Sequence, residues 1–334
     1  MIFPVVSVPP LGFTTVLVTL SNRSEEVRKL VHRQQEGQAG LQVSPTVSVD
    51  MFYYQGSAFS GQPSGAYVFR PDRSGKHSLT DSPVYSQITG PLVNESVVEL
   101  SDWGVLTSRT YTDRQETEVT WQVGPITGGR EVVLLYTTDI NNSGVFYTDA
   151  NGRQMMRRVV REDTVEREGG NYYPVTSRLE LRGGEGGTVS LVTDRSQGGA
   201  SLNTGQMELM VHRRCTQDDW FGVGEALEEE AYGKGLVARG QHFLLSGSSL
   251  SSARLMMQEK VLSPRLSLLG ADLSLEEWIS AEVRPYSALS SNLRGPASES
   301  VQILTLSKWK NKNEVLLRFQ HIFSKVRRNR GMKY

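Results

Sequence analysis

Side chains that could hold a metal ion are scattered along this sequence. The histidines fall at widely separated positions, which are His32, His77, His212, His242 and His321. None belongs to an H-x-D or H-E-x-x-H pattern, and the single cysteine, Cys215, rules out paired-cysteine spacing and an internal disulfide. Because zinc needs several deprotonated ligands that converge, the sequence predicts no metal site within this chain.

Carboxylates offer a second kind of chemistry. Glycoside hydrolysis uses two carboxyl groups that flank the sugar bond, and adjacent pairs occur at Glu162-Asp163 and at Asp218-Asp219. In a chain with 36 acidic residues such pairs carry little information. A serine hydrolase is not indicated either, because the G-x-S-x-G elbow is missing, and G-G-E-G-G (183–187) suits a hairpin turn better than a phosphate loop.

The elements that must position these groups are mostly strands. T-E-V-T-W-Q-V (117–123) alternates apolar and polar residues, which is the period of a half-buried strand, and similar runs recur between Gly-rich or Asn-rich turns. The stretch 194–214 ends in such a run, and its glycines favour a turn between two strands over a binding loop. The pattern predicts an antiparallel β sandwich. F-T-T-V-L-V-T-L (13–20) is also predicted to be a strand.

Few segments have a helical or a loop-like pattern. Short helices are predicted within 222–233 and 273–283, the second with Ser274 as its N-cap and Glu277 three residues later. Residues 36–66 and 288–300 are rich in Gly, Ser, Gln and Pro, which predicts long loops or linkers.

Composition limits the class of protein. The 334 residues suggest about two domains, and a hydrophobic content of 38% is ample for packed cores. The 36 basic residues balance the 36 acidic ones, so nucleic acid and anionic membranes are not expected partners. The basic end of the chain, K-V-R-R-N-R-G-M-K-Y, is predicted to be a solvated terminus.

The apolar opening of the chain is not predicted to be a signal peptide or a membrane span. Pro4, Pro9 and Pro10 interrupt any apolar helix, and no basic residue precedes the run. Three sequons could accept glycans if the protein follows the secretory route, at Asn22, Asn94 and Asn141.

Several longer stretches together resemble a known family. In chain order they are G-Q-P-S-G-A-Y-V-F-R-P-D, G-V-F-Y-T-D-A-N-G-R-Q-M-M-R-R, G-N-Y-Y-P-V-T-S-R-L-E-L and D-R-S-Q-G-G-A-S-L-N-T-G-Q-M-E-L-M-V-H-R-R. They resemble the C-terminal half of the family 38 α-mannosidases, the lysosomal type above all. The resemblance implies a large galactose-mutarotase-like β sandwich at 51–300, a linker or entry segment at 1–50, and the start of a truncated C-terminal β domain with a basic tail at 301–334.

The same resemblance defines what this chain is expected to lack. In that family the zinc ligands, the nucleophile and the acid catalyst lie in an N-terminal domain that has no counterpart here. No catalytic residue and no cofactor are therefore expected on this chain. The resemblance implies that the full protein hydrolyses terminal α-D-mannosyl residues of glycans. The implied partners of this chain are an α-mannosidase catalytic domain and mannose-containing glycans. The implied compartment is the lysosome. The alternative is a non-catalytic carbohydrate-binding or scaffold sandwich.

The resemblance also implies residues that approach a sugar. The tyrosine of S-G-A-Y, here Tyr67, contacts mannose hydroxyls in the family, and a D-D-x-R-G loop brings an arginine near the sugar. Here that loop contains Trp220 and then Phe221 at the arginine position. An exposed Tyr67 and Trp220 would suit sugar stacking, and burial of either ring in the core is the competing interpretation.

Four charged residues beside that loop are predicted to organise it. Arg213 and Arg214 end the run before the loop, and Asp218 and Asp219 begin the motif. We expect the arginines to be ion-pair partners of the two carboxylates.

Overall fold

The computed structural model describes residues 12–17, 31–34, 41–57, 61–80, 82–184, 187–247, 250–261, 265–267, 270, 272, 274–281, 286–287, 301–310 and 313–321. The chain divides into two compact units. The larger unit is Arg28–Val261, and the smaller one combines Met1–Val27 with Leu262–Tyr334. The domain boundaries predicted at residues 50 and 300 stay predictions.

Strands make up most of the regular structure of both units. In chain order, the described strands are β1 (Gly12–Phe13), β2 (Val31–Gln34), β3 (Leu41–Ser44), β4 (Val47–Gly56), β5 (Pro71–Ser78), β6 (Val84–Thr89), β7 (Val93–Ser101), β8 (Gly104–Tyr111), β9 (Thr117–Val123), β10 (Arg130–Thr138), β11 (Val145–Ala150), β12 (Gln154–Val159), β13 (Tyr173–Val175), β14 (Arg178–Arg182), β15 (Thr188–Thr193), β16 (Gln197–Ala200), β17 (Gln206–Arg214), β18 (Glu230–Ala231), β19 (Lys234–Gly235), β20 (Ala238–Ser246), β21 (Tyr286–Ser287), β22 (Val301–Lys308) and β23 (Val315–His321). The described helices are α1 (Leu250–Val261) and α2 (Leu275–Ser280), with one 3-10 turn at Gly169–Asn171. The prediction of a mainly β, antiparallel fold is confirmed, because the described strands pair antiparallel.

Two large sheets form the larger unit. Within the described residues, one sheet has the order β13-β16-β17-β10-β4-β3, with β5 also paired to β4. The other has the order β12-β11-β14-β15-β20-β9-β8-β7-β6-β2. We refer to them as the seven-stranded and the ten-stranded sheet.

The core lies between these two sheets. Met51 and Leu134 of the seven-stranded sheet belong to the same buried cluster as Leu106 and Trp121 of the ten-stranded sheet. Alternate residues of a strand point to opposite faces, and β9 accordingly alternates buried and half-buried residues along its whole length. The two sheets therefore form a β sandwich, and α1 packs on it through a second buried cluster that includes Ala253 and Met256.

The smaller unit contains α2 and a hairpin of β22 and β23. The predicted cap of α2 is confirmed, since the Glu277 N–H donates to the Ser274 hydroxyl and the Glu277 carboxylate accepts from the Ser274 backbone N–H. Apolar side chains of the hairpin are exposed, among them Leu306, Leu317 and Phe319. Within the described part of the chain, no helix has the length and apolar character that a membrane span requires.

The prediction of a long loop over 36–66 is wrong where two strands run through this segment. Strands β3 and β4 occupy Leu41–Ser44 and Val47–Gly56, and their alternate residues are buried. The prediction of a loop rested on composition, and the Gly, Ser and Gln residues on the solvent side made the composition of these strands resemble that of a loop. The loop predicted over 288–300 lies outside the described residues.

The helix predicted within 222–233 is also wrong. That segment holds irregular backbone and the two-residue strand β18, which pairs with β19. Gly222, Gly224 and Gly233 all have positive φ, a conformation that interrupts a right-handed helix. Of the strand predicted over 13–20, only Phe13 is in a strand, which is Gly12–Phe13. Residues 14–17 have no regular structure, and residues 18–20 lie outside the described residues.

The glycine-rich stretch 194–214 is not a simple turn between two strands. Its middle forms β16, which pairs with β13 on one side and β17 on the other. A Cβ at Gly199 would lie 2.9–3.0 Å from side-chain atoms of Val175, Leu179 and Leu209, so only glycine fits this close packing.

Candidate functional site

The candidate site lies where three neighbouring strands of the seven-stranded sheet meet two loops. The first loop, described at residues 57 and 61–70, follows β4, the second loop (215–229) follows β17, and β10 begins between them. Backbone hydrogen bonds join the three strands at this point. The Gly56 N–H donates to the Gly129 carbonyl and the Gly129 N–H donates to the Arg214 carbonyl, each at 2.7 Å. The sheet thus brings together segments that are far apart in sequence.

Asp219 ties the two loops together. Its Oδ2 accepts hydrogen bonds from the backbone N–H groups of Tyr67 at 2.5 Å and Val68 at 2.9 Å, and its Oδ1 accepts from the Phe221 N–H at 3.2 Å. The Gln62 side-chain amide donates to the Asp219 carbonyl at 2.6 Å. Asp219 is fully buried, so these bonds replace the water that a buried carboxylate loses.

The electrostatics of Asp219 follow from these donors. Burial disfavours the carboxylate, but the N–H groups of Tyr67, Val68 and Phe221, together with the charge of Arg213, outweigh burial and lower the pKa of Asp219 from its usual value. The carboxylate therefore stays ionised and keeps accepting from both loops at neutral and mildly acidic pH.

Glycine at position 65 permits this contact. A Cβ there would lie 2.7 Å from the backbone nitrogen and from the Cβ of Asp219. The loops can approach this closely only because residue 65 has no side chain.

Arg213 supports the first loop through a different carboxylate from the one predicted. Its Nε donates to Glu131 at 2.5 Å and its Nη2 to the Val68 carbonyl at 2.7 Å, while the Ser64 hydroxyl donates to Glu131. Glu131 is fully buried, and burial raises its pKa while Arg213 and Ser64 oppose the rise.

Arg214 also has other partners than the predicted ones. It forms ion pairs with Glu228 at 3.2 Å and Glu230 at 3.0 Å, and it donates to the Ile126 carbonyl. Among the described residues, neither Arg213 nor Arg214 forms an ion pair with the aspartates of the loop. The physical reason is the sheet register, which places Arg213 opposite Glu131 across the β10–β17 pair.

Asp218 shapes the tip of the second loop. Its Oδ2 accepts from the Trp220 N–H at 3.1 Å, and Trp220 has a φ of +61°. Such a backbone is uncommon for an aromatic residue and turns the chain sharply.

The structure places three predicted sugar-contacting side chains at the surface of these loops. The exposed fractions are 69% for Tyr67, 61% for Trp220 and 61% for Phe221. Because Asp219 binds the backbone of Tyr67 and of Phe221, the three residues share one region of surface. We call them the aromatic rim. The competing interpretation, burial in the core, does not hold for Tyr67 or Trp220.

A small polar cavity of about 60 Å³ lies beside the rim-bearing loops. Side chains of Gln55, Ser64 and Gln217 line it together with Gly56, Gly128, Gly129 and Cys215. The Cys215 thiol is buried, and burial raises its pKa to about 12, so it is not a ready nucleophile. The arrangement offers hydrogen-bonding groups and exposed ring surfaces, which are suited to binding rather than to bond cleavage.

Sequence reasoning missed several residues that build this site, namely Gln62, Ser64, Gly65 and Glu131. Ser64 and Gly65 belong to the S-G-A-Y motif, so the motif itself pointed to them. Gln62 and Glu131 act through contacts across 157 and 82 residues, for which no local pattern exists.

Two of the three sequons lie in described residues. Asn94 is exposed on β7, and Asn141 is exposed in the turn before β11, where its side chain accepts from Ser143. Asn22 lies outside the described residues. In the part of the chain that the structure describes, no group of three or more His, Cys, Asp and Glu side chains could hold a metal ion.

The fold and these loops define the structural class of the protein, which is an antiparallel β sandwich with exposed aromatic side chains on hydrogen-bonded loops. Comparison with known proteins then gives the family. The model of the glycosyl hydrolases family 38 C-terminal domain matches residues 19–221, which is more than half of the chain. The chain belongs to glycosyl hydrolase family 38, as its C-terminal domain.

Similar proteins include lysosomal alpha-mannosidases. The chain is 37% identical over 285 residues to the one from Felis catus, covering 80% of this chain and 27% of the relative. It is 36% identical over 292 residues to that of Homo sapiens, with 82% and 28% covered, and 32% identical over 372 residues to that of Mus musculus, with 97% and 36% covered. The chain thus spans between 27% and 36% of the length of these relatives.

A solved alpha-mannosidase structure from Enterococcus faecalis V583 aligns with 81% of this chain and 33% of its own chain. The sequence identity of that alignment is 9% and its TM-score is 0.46.

Proposed function

We propose that this chain acts as the C-terminal part of a lysosomal-type α-mannosidase, in the hydrolysis of terminal α-D-mannosyl residues of glycans in the lysosome. A catalytic domain of the same family supplies the reaction centre, and this sandwich, of galactose-mutarotase-like type, packs beside it. Family membership and the lysosomal relatives support the proposal. The observation that carries it is the aromatic rim, held by Asp219 with its rings exposed.

The rim is suited to positioning a sugar. The Tyr67 ring is largely exposed while its backbone is fixed by Asp219, so its hydroxyl can meet a mannose hydroxyl from a defined point. The exposed Trp220 ring can stack on the apolar face of a sugar. Phe221 contributes apolar contact only. Tyr67, Trp220 and Phe221 are therefore proposed as substrate-binding residues, and none is proposed as a general acid, base or nucleophile.

Zinc belongs to the chemistry of the full-length family, where it binds in the catalytic domain. The described residues of this chain do not fit a zinc site, since they contain no suitable group of ligands. We therefore assign no step of the reaction to a metal on this chain, whose own task is to present the rim and to hold the loops that bear it.

Replacement of the Tyr67 hydroxyl tests the proposal. The chain is co-expressed with the catalytic domain of the human lysosomal relative, and kcat/KM for a mannoside is compared for the original chain, Tyr67→Phe and Tyr67→Ala. Loss of one neutral hydrogen bond is worth about 1 kcal/mol, so Tyr67→Phe should reduce kcat/KM about fivefold. Tyr67→Ala should reduce it further, because the ring contact is lost as well.

The control for this experiment is Tyr232→Phe. Tyr232 is fully exposed on the neighbouring β18–β19 hairpin, so removal of its hydroxyl should leave kcat/KM unchanged. Equal kinetics for the original chain and both Tyr67 variants would refute a sugar contact at this position.

A stand-alone carbohydrate-binding sandwich is the second candidate. The same exposed rim favours it, because aromatic side chains on anchored loops can bind a glycan without a catalytic domain. Calorimetric titration of the isolated chain with mannose oligosaccharides distinguishes the two candidates. Binding that Trp220→Ala abolishes supports the second candidate, whereas binding seen only in the presence of a catalytic domain supports the first.

A further inference from the structure

A turn of the larger unit carries the sequon Asn141-Asn142-Ser143 at the far end of β10 from the aromatic rim. β10 begins at the candidate site with Arg130 and ends at Thr138, and Asn141 follows three residues later. A strand rises about 3.3 Å per residue, so Thr138 lies about 25 Å from Arg130. The sequon and the rim are therefore at opposite ends of the same strand.

The middle residue of this sequon anchors the turn in the core. Asn142 is 4% exposed, its Nδ2 donates to the Val145 carbonyl at 2.9 Å, and its Oδ1 accepts from the Gly205 N–H at 2.8 Å. Its two neighbours in the sequon, Asn141 and Ser143, are both exposed. Because Asn142 is fixed inside, the glycan acceptor and its hydroxyl-bearing partner are held at the surface.

The acceptor asparagine and the serine form a local turn. The Asn141 Oδ1 accepts from the Ser143 N–H at 3.1 Å and from the Ser143 hydroxyl at 3.2 Å. Ser143 has a φ of +48° and Gly144 a φ of +71°. Such a turn needs only neighbouring residues, so it can form before the sheets assemble. The amide nitrogen Nδ2, the atom to which an N-glycan is attached, takes no part in these two hydrogen bonds.

The other described sequon, Asn94-Glu95-Ser96, has a different setting. It lies on β7, between β6 and β8 of the ten-stranded sheet. Alternate residues of a strand share a face, so Asn94 and Ser96 are on the same face as Val98, which is buried in the core. Ser96 is half-buried and pairs across the sheet with the buried Ser108. Asn94 is exposed, but a glycan there would leave from the core-facing side of the sheet.

We propose that Asn141 is an N-glycosylation site and is modified in preference to Asn94. This site rests on the proposed function in one respect, because a lysosomal protein passes through the secretory pathway, where sequons are modified. A glycan is bulky and polar, so it keeps this end of the larger unit in solvent. The rim, at the other end of β10, stays open to a sugar and to a catalytic domain.

The modification is a group transfer from a lipid-linked oligosaccharyl diphosphate. The Asn141 Nδ2 forms a bond to the anomeric carbon of the donor, and the bond from that carbon to the diphosphate oxygen breaks. The lipid diphosphate leaves, and the amide nitrogen gives up one proton to the transferring enzyme. No oxidation or reduction is involved.

The test expresses the full chain behind a secretion signal in cultured animal cells, so that it reaches the modifying enzyme whatever its natural compartment. Asn22→Gln is present in every version, because that sequon lies outside the described residues. The chain is recovered from both cells and medium, so occupancy is measured even where export is poor. Glycopeptide mass spectrometry should find an occupancy at Asn141 that is several-fold higher than at Asn94.

Matched variants identify the site on gels. Ser143→Ala should remove the mobility shift that a peptide N-glycosidase reverses, whereas Ser143→Thr keeps the sequon and should keep the shift. Ser96→Ala destroys the other sequon and should leave most of the shift in place. Ser143 is exposed, so neither change at this position should disturb the core.

The proposal is overturned if Asn141 carries no glycan, or if Asn94 is occupied as fully as Asn141. It is also overturned if Ser143→Ala leaves the mobility shift unchanged. These outcomes are independent of the kinetics of the Tyr67 variants, which test the proposed function, because the added secretion signal supplies the route.

Discussion

Phe221 occupies the position at which the family motif carries an arginine, and its ring is mostly exposed. An arginine can donate charge-assisted hydrogen bonds to sugar hydroxyls, each worth about 1.5–3 kcal/mol, whereas a phenyl ring offers none. With a catalytic domain of the family present, Phe221→Arg should therefore raise kcat/KM for a mannoside about tenfold, equivalent to about 1.4 kcal/mol of transition-state binding.

The control for this variant is Val223→Arg, which adds the same charge two residues away at a partly exposed position. It should leave kcat/KM unchanged. If Phe221→Arg folds normally and gives no gain, position 221 does not face the sugar.

His242 shows how a titratable side chain can serve the core. It is fully buried, its Nδ1 lies 2.9 Å from the Tyr136 hydroxyl, and its Nε2 lies 2.8 Å from the Gln197 side-chain oxygen. Burial lowers its pKa to about 3, while Asp194 opposes the shift. The imidazole is therefore neutral in the folded protein even at acidic pH.

The pH dependence of stability follows from this shift. Between pH 6.5, the ordinary pKa of histidine, and about pH 3, the unfolded chain binds a proton at His242 that the folded chain does not bind. Stability therefore falls as the pH is lowered through this window, by about 1.4 kcal/mol per pH unit for this residue.

His242→Gln should remove this contribution. The variant should be less stable than the original chain at pH 7, by about 1–3 kcal/mol, because the hydrogen bonds to Tyr136 and Gln197 are disturbed. The difference should shrink as the pH falls toward 4. Urea unfolding at several pH values measures it, and a difference that stays constant with pH would contradict the assignment.

At the scale of elements, the contact between the two loops of the site depends on Gly65. A Cβ at this position would lie 2.7 Å from the Asp219 backbone, which cannot move without breaking its bonds to Tyr67 and Val68. Gly65→Ala should therefore lower the free energy of unfolding by about 1–3 kcal/mol and weaken any sugar binding by the rim.

Gly61→Ala is the matched control in the same loop. A Cβ at Gly61 would have no neighbour within 4 Å, so this variant should change stability by less than about 0.5 kcal/mol. Denaturant unfolding of both variants makes the comparison. Equal stability of the two would show that the Asp219 contact does not hold the loops.

The elements also show what a sequence pattern can predict. Alternation identified strands such as Thr117–Val123, because the pleat of a strand places alternate side chains on opposite faces. It missed Gln197–Ala200, because small residues give no alternation and this strand depends on its neighbours β13 and β17. Likewise, the motif predicted that Tyr67 belongs to the site, but the partner that fixes it, Asp219, is 152 residues away and is defined only by the fold.

At the scale of the whole molecule, the larger unit is a β sandwich whose loops expose the rings of the aromatic rim. The described part of the chain contains no cluster of side chains that could bind a metal ion. Its cysteine, Cys215, is buried and has a raised pKa, so the thiol is unreactive. The chain covers only 27% to 36% of the length of the relatives from Felis catus and Mus musculus, which are therefore about three times longer. Under the function proposed above, the reaction takes place in an assembly of this chain with a catalytic domain of the family.

This expectation can be tested on the purified chain alone. It should bind no stoichiometric zinc and should not cleave an aryl α-mannoside, because both steps need converging His and Asp ligands that the described residues do not provide. Elemental analysis after dialysis and release of the aryl alcohol are the two measurements. The same chain mixed with the catalytic domain of a lysosomal relative is the positive control and should both contain zinc and turn over substrate. One zinc per isolated chain, with turnover that survives repurification, would place a reaction centre on this chain. It would contradict the proposal that a separate catalytic domain supplies that centre.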